Sequence, residues 1–299
     1  MGWILDIVIV LIVGYVIYSN AKRGFNKVIA FGIGYLVMTI LASVVASAAA
    51  PAFYDGVARD SNIHAISTAN GHIKFPQVYA DVINAQNYGF QASERSIKSV
   101  LEKYDNGPFD ERLYQYVRSN TADAGVDKAQ FQTLMLNTFI ESYGKELGER
   151  VPEYVIASFE SSAKEDPEIA REIMRTYYDT RKTEEARAEL IEKKFSEAPT
   201  TEVLQIFMYL ILFSVFMVLA ALIATMLQDK IFFNITRGAD RAMGGVVGLL
   251  EAGSLLVLLT LIVRLIVVLG AGKFMFFNDD DLNNSFLFSF FYRNLRILL

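Results

Sequence analysis

Apolar residues gather in four runs, and a long polar stretch separates the second from the third. The runs cover residues 3–18, 28–50, 203–227 and 243–269. A bilayer core takes roughly 20 apolar residues of helix. The last three runs reach that length, and Met1, Gly2 and Ser19 extend the first to the interface. No comparable run lies between 51 and 202. The pattern predicts an all-α protein: a four-helix transmembrane bundle with an inserted soluble helical domain. The expected division is a transmembrane hairpin over 1–50, the inserted domain over 51–200, a second hairpin over 201–270 and a tail over 271–299.

Within the insert the apolar spacing is helical. Ile97, Val100, Leu101 and Tyr104 form one stripe, and Phe109, Leu113, Tyr116 and Val117 a second. Leu136, Phe139, Ile140, Tyr143 and Leu147 form a third, and Ile169, Ile173 and Tyr177 a fourth. Such spacing sets one apolar face per helix. Asn106-Gly107-Pro108 breaks the first two stripes apart. Pro152 and Asp166-Pro167 mark helix starts. Residues 55–90 read as the least regular part, with a turn at Asn70-Gly71. The charged run from Arg181 to Lys194 reads as a solvated helix with a Glu189–Lys193 pair. Pro199 is expected to end it, and Thr200 or Thr201 to cap the third membrane helix.

Loop charge sets the expected topology. The loop after the first span carries Lys22, Arg23 and Lys27 with no acid, and the loop after the third carries Lys230, Arg237 and Arg241. Short basic loops stay in the cytoplasm. Both termini and the insert are then outside. Nothing basic precedes the first run, so it reads as a retained span rather than a cleaved signal. In the tail, Phe286, Leu287, Phe290, Phe291, Leu295 and Leu298 alternate with Ser289, Arg293 and Arg296. That segment is too short to span and is expected to lie as an interfacial helix on the outer side.

Composition narrows the chemistry. The 299 residues contain no cysteine and two histidines, and the net charge is −5. Residues 51–202 hold 26 acidic and 18 basic side chains, a difference of −8, so the acidity belongs to the insert. Nucleic acid is not an expected partner. Without thiols there is no disulfide framework, thiolate metal site or cysteine nucleophile. His64 and His72, with Asp60 or Asp81, match no zinc spacing and read as exposed loop histidines. Asp279-Asp280-Asp281 lacks the spacing of a calcium loop. No nucleophile elbow or phosphate loop occurs. No catalytic residue, cofactor or metal is expected, and the chain does not read as an enzyme.

The membrane charges Asp6, Glu251 and Arg264 are the candidate functional residues, since an ionisable group inside a span is costly. Arg264 is placed to snorkel outward. Small residues recur every four positions at Ala42, Ala46 and Ala50, at Gly244, Gly248 and Ala252, and at Ala220 and Ala224. Small-xxx-small spacing lets helices approach closely, within one bundle or between copies. The expected partners are the lipid bilayer and either another protein or a second copy. An oligomeric channel or transporter using Glu251 and Asp6 is the alternative to a protein acting by assembly.

One set of residues carries a family resemblance. An early acid (Asp6) precedes a basic loop with Arg23-Gly24, and the element Asp240-Arg241-Ala242-Met243-Gly244-Gly245-Val246-Val247-Gly248 opens the last run. This resembles the colicin V production proteins of bacterial inner membranes, over about residues 3–50 and 203–295. The resemblance implies a four-span plasma-membrane protein associated with toxin production or export and with envelope homeostasis. Typical members join the second and third spans by a short connection, whereas this chain carries the insert there. Ala252 stands where the family pattern has glycine. On residue chemistry, Asp240 is placed to cap the start of its own helix. Arg241 and Arg23 are placed for lipid phosphate or for a carboxylate of the facing loop.

Overall fold

The computed structural model describes residues 2–104, 106–121, 126–227, 230, 233–270, 282 and 285–294. The described residues form helices joined by short loops, with no strand among them. The helices are α1 (Gly2–Arg23), α2 (Phe25–Val57), α3 (Arg59–His72), α4 (Phe75–Ala85), α5 (Glu94–Leu101), α6 (Phe109–Asn120) and α7 (Lys128–Gly148). Then follow α8 (Glu153–Glu165), α9 (Pro167–Tyr177), α10 (Glu184–Phe195), α11 (Glu197–Leu227), α12 (Arg237–Leu269) and α13 (Phe288–Asn294). Four of them, α1, α2, α11 and α12, are long and apolar enough to cross a membrane. The chain divides into two compact units, one of residues 1–53 with 201–299 and one of residues 54–200.

The first unit is held by close backbone approach. A Cβ added at Gly244 would stand 2.7 Å from the Asn20 carbonyl oxygen, and one at Gly248 2.9 Å from the Ile17 Cα. The glycine face of α12 therefore lies directly on α1. Gly32 of α2 admits Val247 of α12, and Gly34 faces Ala220 of α11. Ala42 and Ala46 of α2 are buried with Ile206, Tyr209, Phe213 and Leu261. A second cluster joins Ile9, Leu256, Val263 and Val267 to Leu282 and Phe288. The outside of the unit is apolar: Leu11, Val44, Ile211, Leu222 and Met226 are all exposed. Contiguous apolar surface of this kind suits lipid.

The second unit is built the opposite way. Every residue of the Leu136–Leu147 stripe is buried in one core with residues from α3 to α10. Phe139 sits among Phe75, Phe109, Tyr143 and Phe159 at ring separations of 5.3, 5.9, 5.3 and 6.2 Å. Two tyrosine hydroxyls converge on Asn70: Tyr143 donates to its Oδ1 at 2.9 Å and Tyr177 to its carbonyl at 3.1 Å. Ser93, Asp127, Asp166 and Thr183 cap α5, α7, α9 and α10. Each satisfies an N–H that the first helical turn leaves open.

Several local expectations are corrected. Residues 55–90 are largely helical, because Ile66, Ala69, Phe75, Tyr79, Ala80 and Ile83 reach the core from α3 and α4. Asn70-Gly71 lies inside the last turn of α3 rather than in a loop turn. His64 and His72 are exposed, but they lie on that helix. Pro199 belongs to the first turn of α11, where a missing N–H costs nothing, so Thr200 and Thr201 are helical residues rather than caps. Glu189 pairs with Arg59 of α3 instead of Lys193. Leu295, Arg296, Leu298 and Asp279-Asp280-Asp281 lie outside the described residues.

Candidate functional site

In the first unit, each long-range polar contact joins two elements. Gly24, between α1 and α2, has φ 86°. That left-handed conformation favours glycine, and a Cβ there would collide with the Asp240 carboxylate. Asp240 Oδ1 accepts the backbone N–H of Asn26 at 3.2 Å. Asp240 therefore caps α2 across the interface; at the start of its own helix, Thr236 holds the cap position. Asn26 Nδ2 donates to the Phe233 carbonyl at 3.1 Å, and Phe233 N donates back to Asn26 Oδ1 at 2.7 Å. The loop after α1 and the segment before α12 are thus one surface. Arg23 and Arg241 are both exposed on it. Arg241 forms no ion pair among the described residues.

Glu251 lies about three turns deeper along α12. Asn20 Nδ2 donates to its Oε2 at 2.7 Å and to the Val16 carbonyl at 3.0 Å. Asn20 is buried, so the pair is a polar rivet inside the α1–α12 seam. Tyr35 of α2 lies within electrostatic range of Glu251 and Arg23. Ala252, beside Glu251, is buried.

The remaining two charges are also engaged. Arg264 does not snorkel free: its guanidinium forms an ion pair with Glu202 of α11, with Nε 2.5 Å from Oε1. Asp6 does more than reach an interface. Its carboxylate accepts the backbone N–H groups of Phe286, Leu287 and Phe288 at 2.8, 2.8 and 3.1 Å. It caps α13, a short helix packed on α1 and α12 whose Phe288 is fully buried.

The second unit holds a cavity of about 240 Å³ lined by Tyr104, Gly107, Phe109, Arg112, Arg171 and Arg175. Its guanidinium groups are largely engaged. Arg171 grips the buried Asp110 with two bonds, at 3.1 and 2.8 Å, and bonds Glu168 at 2.6 Å. Those carboxylates hold the Arg171 guanidinium well above its ordinary range. Arg112 donates to the Val100 and Leu101 carbonyls that end α5. Nearby, Asp179 is held well below the usual carboxylate range by Arg181 and Lys182, with Tyr104 donating a further hydrogen bond. This is an ion network that ties α5, α6 and α9 together. Among the described residues no group of three or more His, Asp or Glu is arranged to hold a metal.

Asn20, Asn26 and Glu202 carry no mark in the sequence, and one buried acid of the second unit carries only a faint one. Glu192 was expected on the solvated side of α10, yet its side chain is fully buried. Ala188, Ile191 and Phe195 are buried beside it. Their spacing is the signal that could have found it: 188, 191, 192 and 195 follow the helical period, with an acid in one apolar slot.

Compared with protein families, curated proteins and solved structures, the chain matches none.

Proposed function

We propose that this protein is a non-enzymatic membrane protein that acts through assembly, with the four apolar helices as its core and the helical insert as its sensing or binding module. The observation that carries this reading is the engagement of Asp6, Glu251 and Arg264, each by a partner on another element of the same unit. An ion or solute path needs intramembrane polar groups that can exchange partners with the cargo. These groups instead fasten helices to one another.

Loop charge orients the protein with its basic loops in the cytoplasm and the insert outside the plasma membrane. The Asp240–Gly248 element and Arg23-Gly24 support membership among the colicin V production proteins, and with it a role in toxin production or export and envelope homeostasis. Within that reading the Gly24–Asp240–Asn26 contact gives the glycine and the acid of the two loops a joint role: one makes room for the other.

In vivo photo-crosslinking followed by capture tests the proposal, using the full chain and a deletion of residues 55–198. Partners captured by the full chain and lost from a deletion that still inserts support a binding role for the insert. Identical partner sets for both proteins remove the insert from the mechanism. Flux through reconstituted protein that disappears with Glu251→Gln would replace the assembly reading with the channel alternative.

A further inference from the structure

Glu192 combines three features. Its side chain has no solvent exposure. One carboxylate oxygen accepts the hydroxyl of Tyr54, which is itself buried. Among the described residues the other, Oε2, has no hydrogen-bond partner, and neither has the Ser196 hydroxyl one turn on.

The charged groups around it are committed elsewhere or point away. On α3, Arg59 pairs with Glu189 and Asp55. On α9, Glu172 takes Lys194. Lys193, next to it on α10, is exposed, and Glu197 contributes a like charge. From α8 comes Tyr154, hydrogen-bonded to Thr200, and Thr200 accepts from Asn62 of α3. Among the described residues Glu192 has no ion pair.

A carboxylate in such a place loses its hydration and gets one hydrogen bond in return, whereas the neutral acid is buried at far lower cost. We propose that Glu192 is a proton-operated latch: as the neutral acid it holds Tyr54 against α10, and on losing its proton to water it leaves the core and releases Tyr54. Burial raises this carboxyl to about 7, with Glu197 adding to the effect and Lys193 opposing it. The latch therefore works around neutral pH. It goes beyond the assembly reading and stands whether or not that reading holds.

The test is hydrogen exchange of the full chain in lipid nanodiscs from about pH 5.5 to about pH 8.5, with α7 as the internal reference. Below the midpoint the ionised fraction rises about tenfold per pH unit, and above it the fraction levels off. Exchange in the segments containing Tyr54 and Glu192 is expected to follow that fraction relative to α7, rising towards the midpoint and level beyond it. Glu192→Gln should hold both segments protected at every pH. Tyr54→Phe removes a donor that favours the ionised form, so its midpoint should move upward. Carboxyl-labelled glutamate in the wild-type protein gives the titration directly, without any substitution. A midpoint below pH 5, a flat exchange ratio, or a Glu192→Gln profile with the wild-type slope would each overturn the latch.

Discussion

The two units solve the same problem with their chemistry reversed. The unit of residues 54–200 hides its aromatic side chains and shows charges to the surface. The unit of residues 1–53 and 201–299 shows leucine, isoleucine and valine outside and keeps glycine, alanine, asparagine and paired charges within. Water drives the first arrangement, because burying apolar area is favourable only where water is the alternative. In lipid that drive is absent, and close backbone contact with satisfied polar pairs takes its place. One unit should therefore be sensitive to lost volume and the other to added volume.

The largest effect is expected from Phe139→Ala. It empties the centre of the aromatic cluster and should cost about 4 kcal/mol. Limited proteolysis should then cut the insert while α1, α2, α11 and α12 still insert; equal loss of both units would show that they fold as one. Next is pH. Glu192 keeps its proton when folded up to about 7, against an ordinary 4.5. Below 4.5 both states hold the proton, so pH has no effect through this group. From there to about 7 only the folded state holds it, and stability falls as pH rises. The loss should reach at most about 3 kcal/mol and then level off. Urea unfolding of the insert in nanodiscs at several pH values measures it, and Glu192→Gln should remove the slope.

Gly24→Ala tests the membrane unit by adding a single methyl group. The φ of 86° and the neighbouring Asp240 both oppose it. A loss of about 1–3 kcal/mol is expected, read as a lower thermal midpoint in detergent with the insert unchanged. The smallest effect is expected from Asp6→Ala. Loss of the cap should cost about 1 kcal/mol and speed exchange in Phe288–Asn294 about fivefold, with no change elsewhere.

The two units were legible in the sequence to different depths, for physical reasons. A membrane helix is declared by its length and composition, so the four long helices were legible from α1 to α12. The core stripe of α7 was legible too, because Leu136, Phe139, Ile140, Tyr143 and Leu147 lie on one face by periodicity alone. Asn70-Gly71 misled because turn preference is local, and the burial of Ile66 and Ala69 overrode it. The polar contacts were out of reach. Asn20 and Glu251 are 231 residues apart, Asp240 and Asn26 are 214 apart, and Arg264 and Glu202 are 62 apart. Pairing over such distances follows from which helices meet, and periodicity within one helix does not carry that information.

The contact between Asp6 and the start of α13 also has a consequence for biogenesis. Asp6 is translated 280 residues before the N–H groups that it accepts. Asn20 likewise enters the membrane long before Glu251 exists. For most of synthesis α1 must therefore carry a carboxylate and an amide with no native partner. The insertion machinery, or water at the bilayer surface, has to shelter them until α12 arrives. The rivets that fasten the finished unit are also its timetable: α1 cannot settle into its final place until the ribosome has passed residue 288.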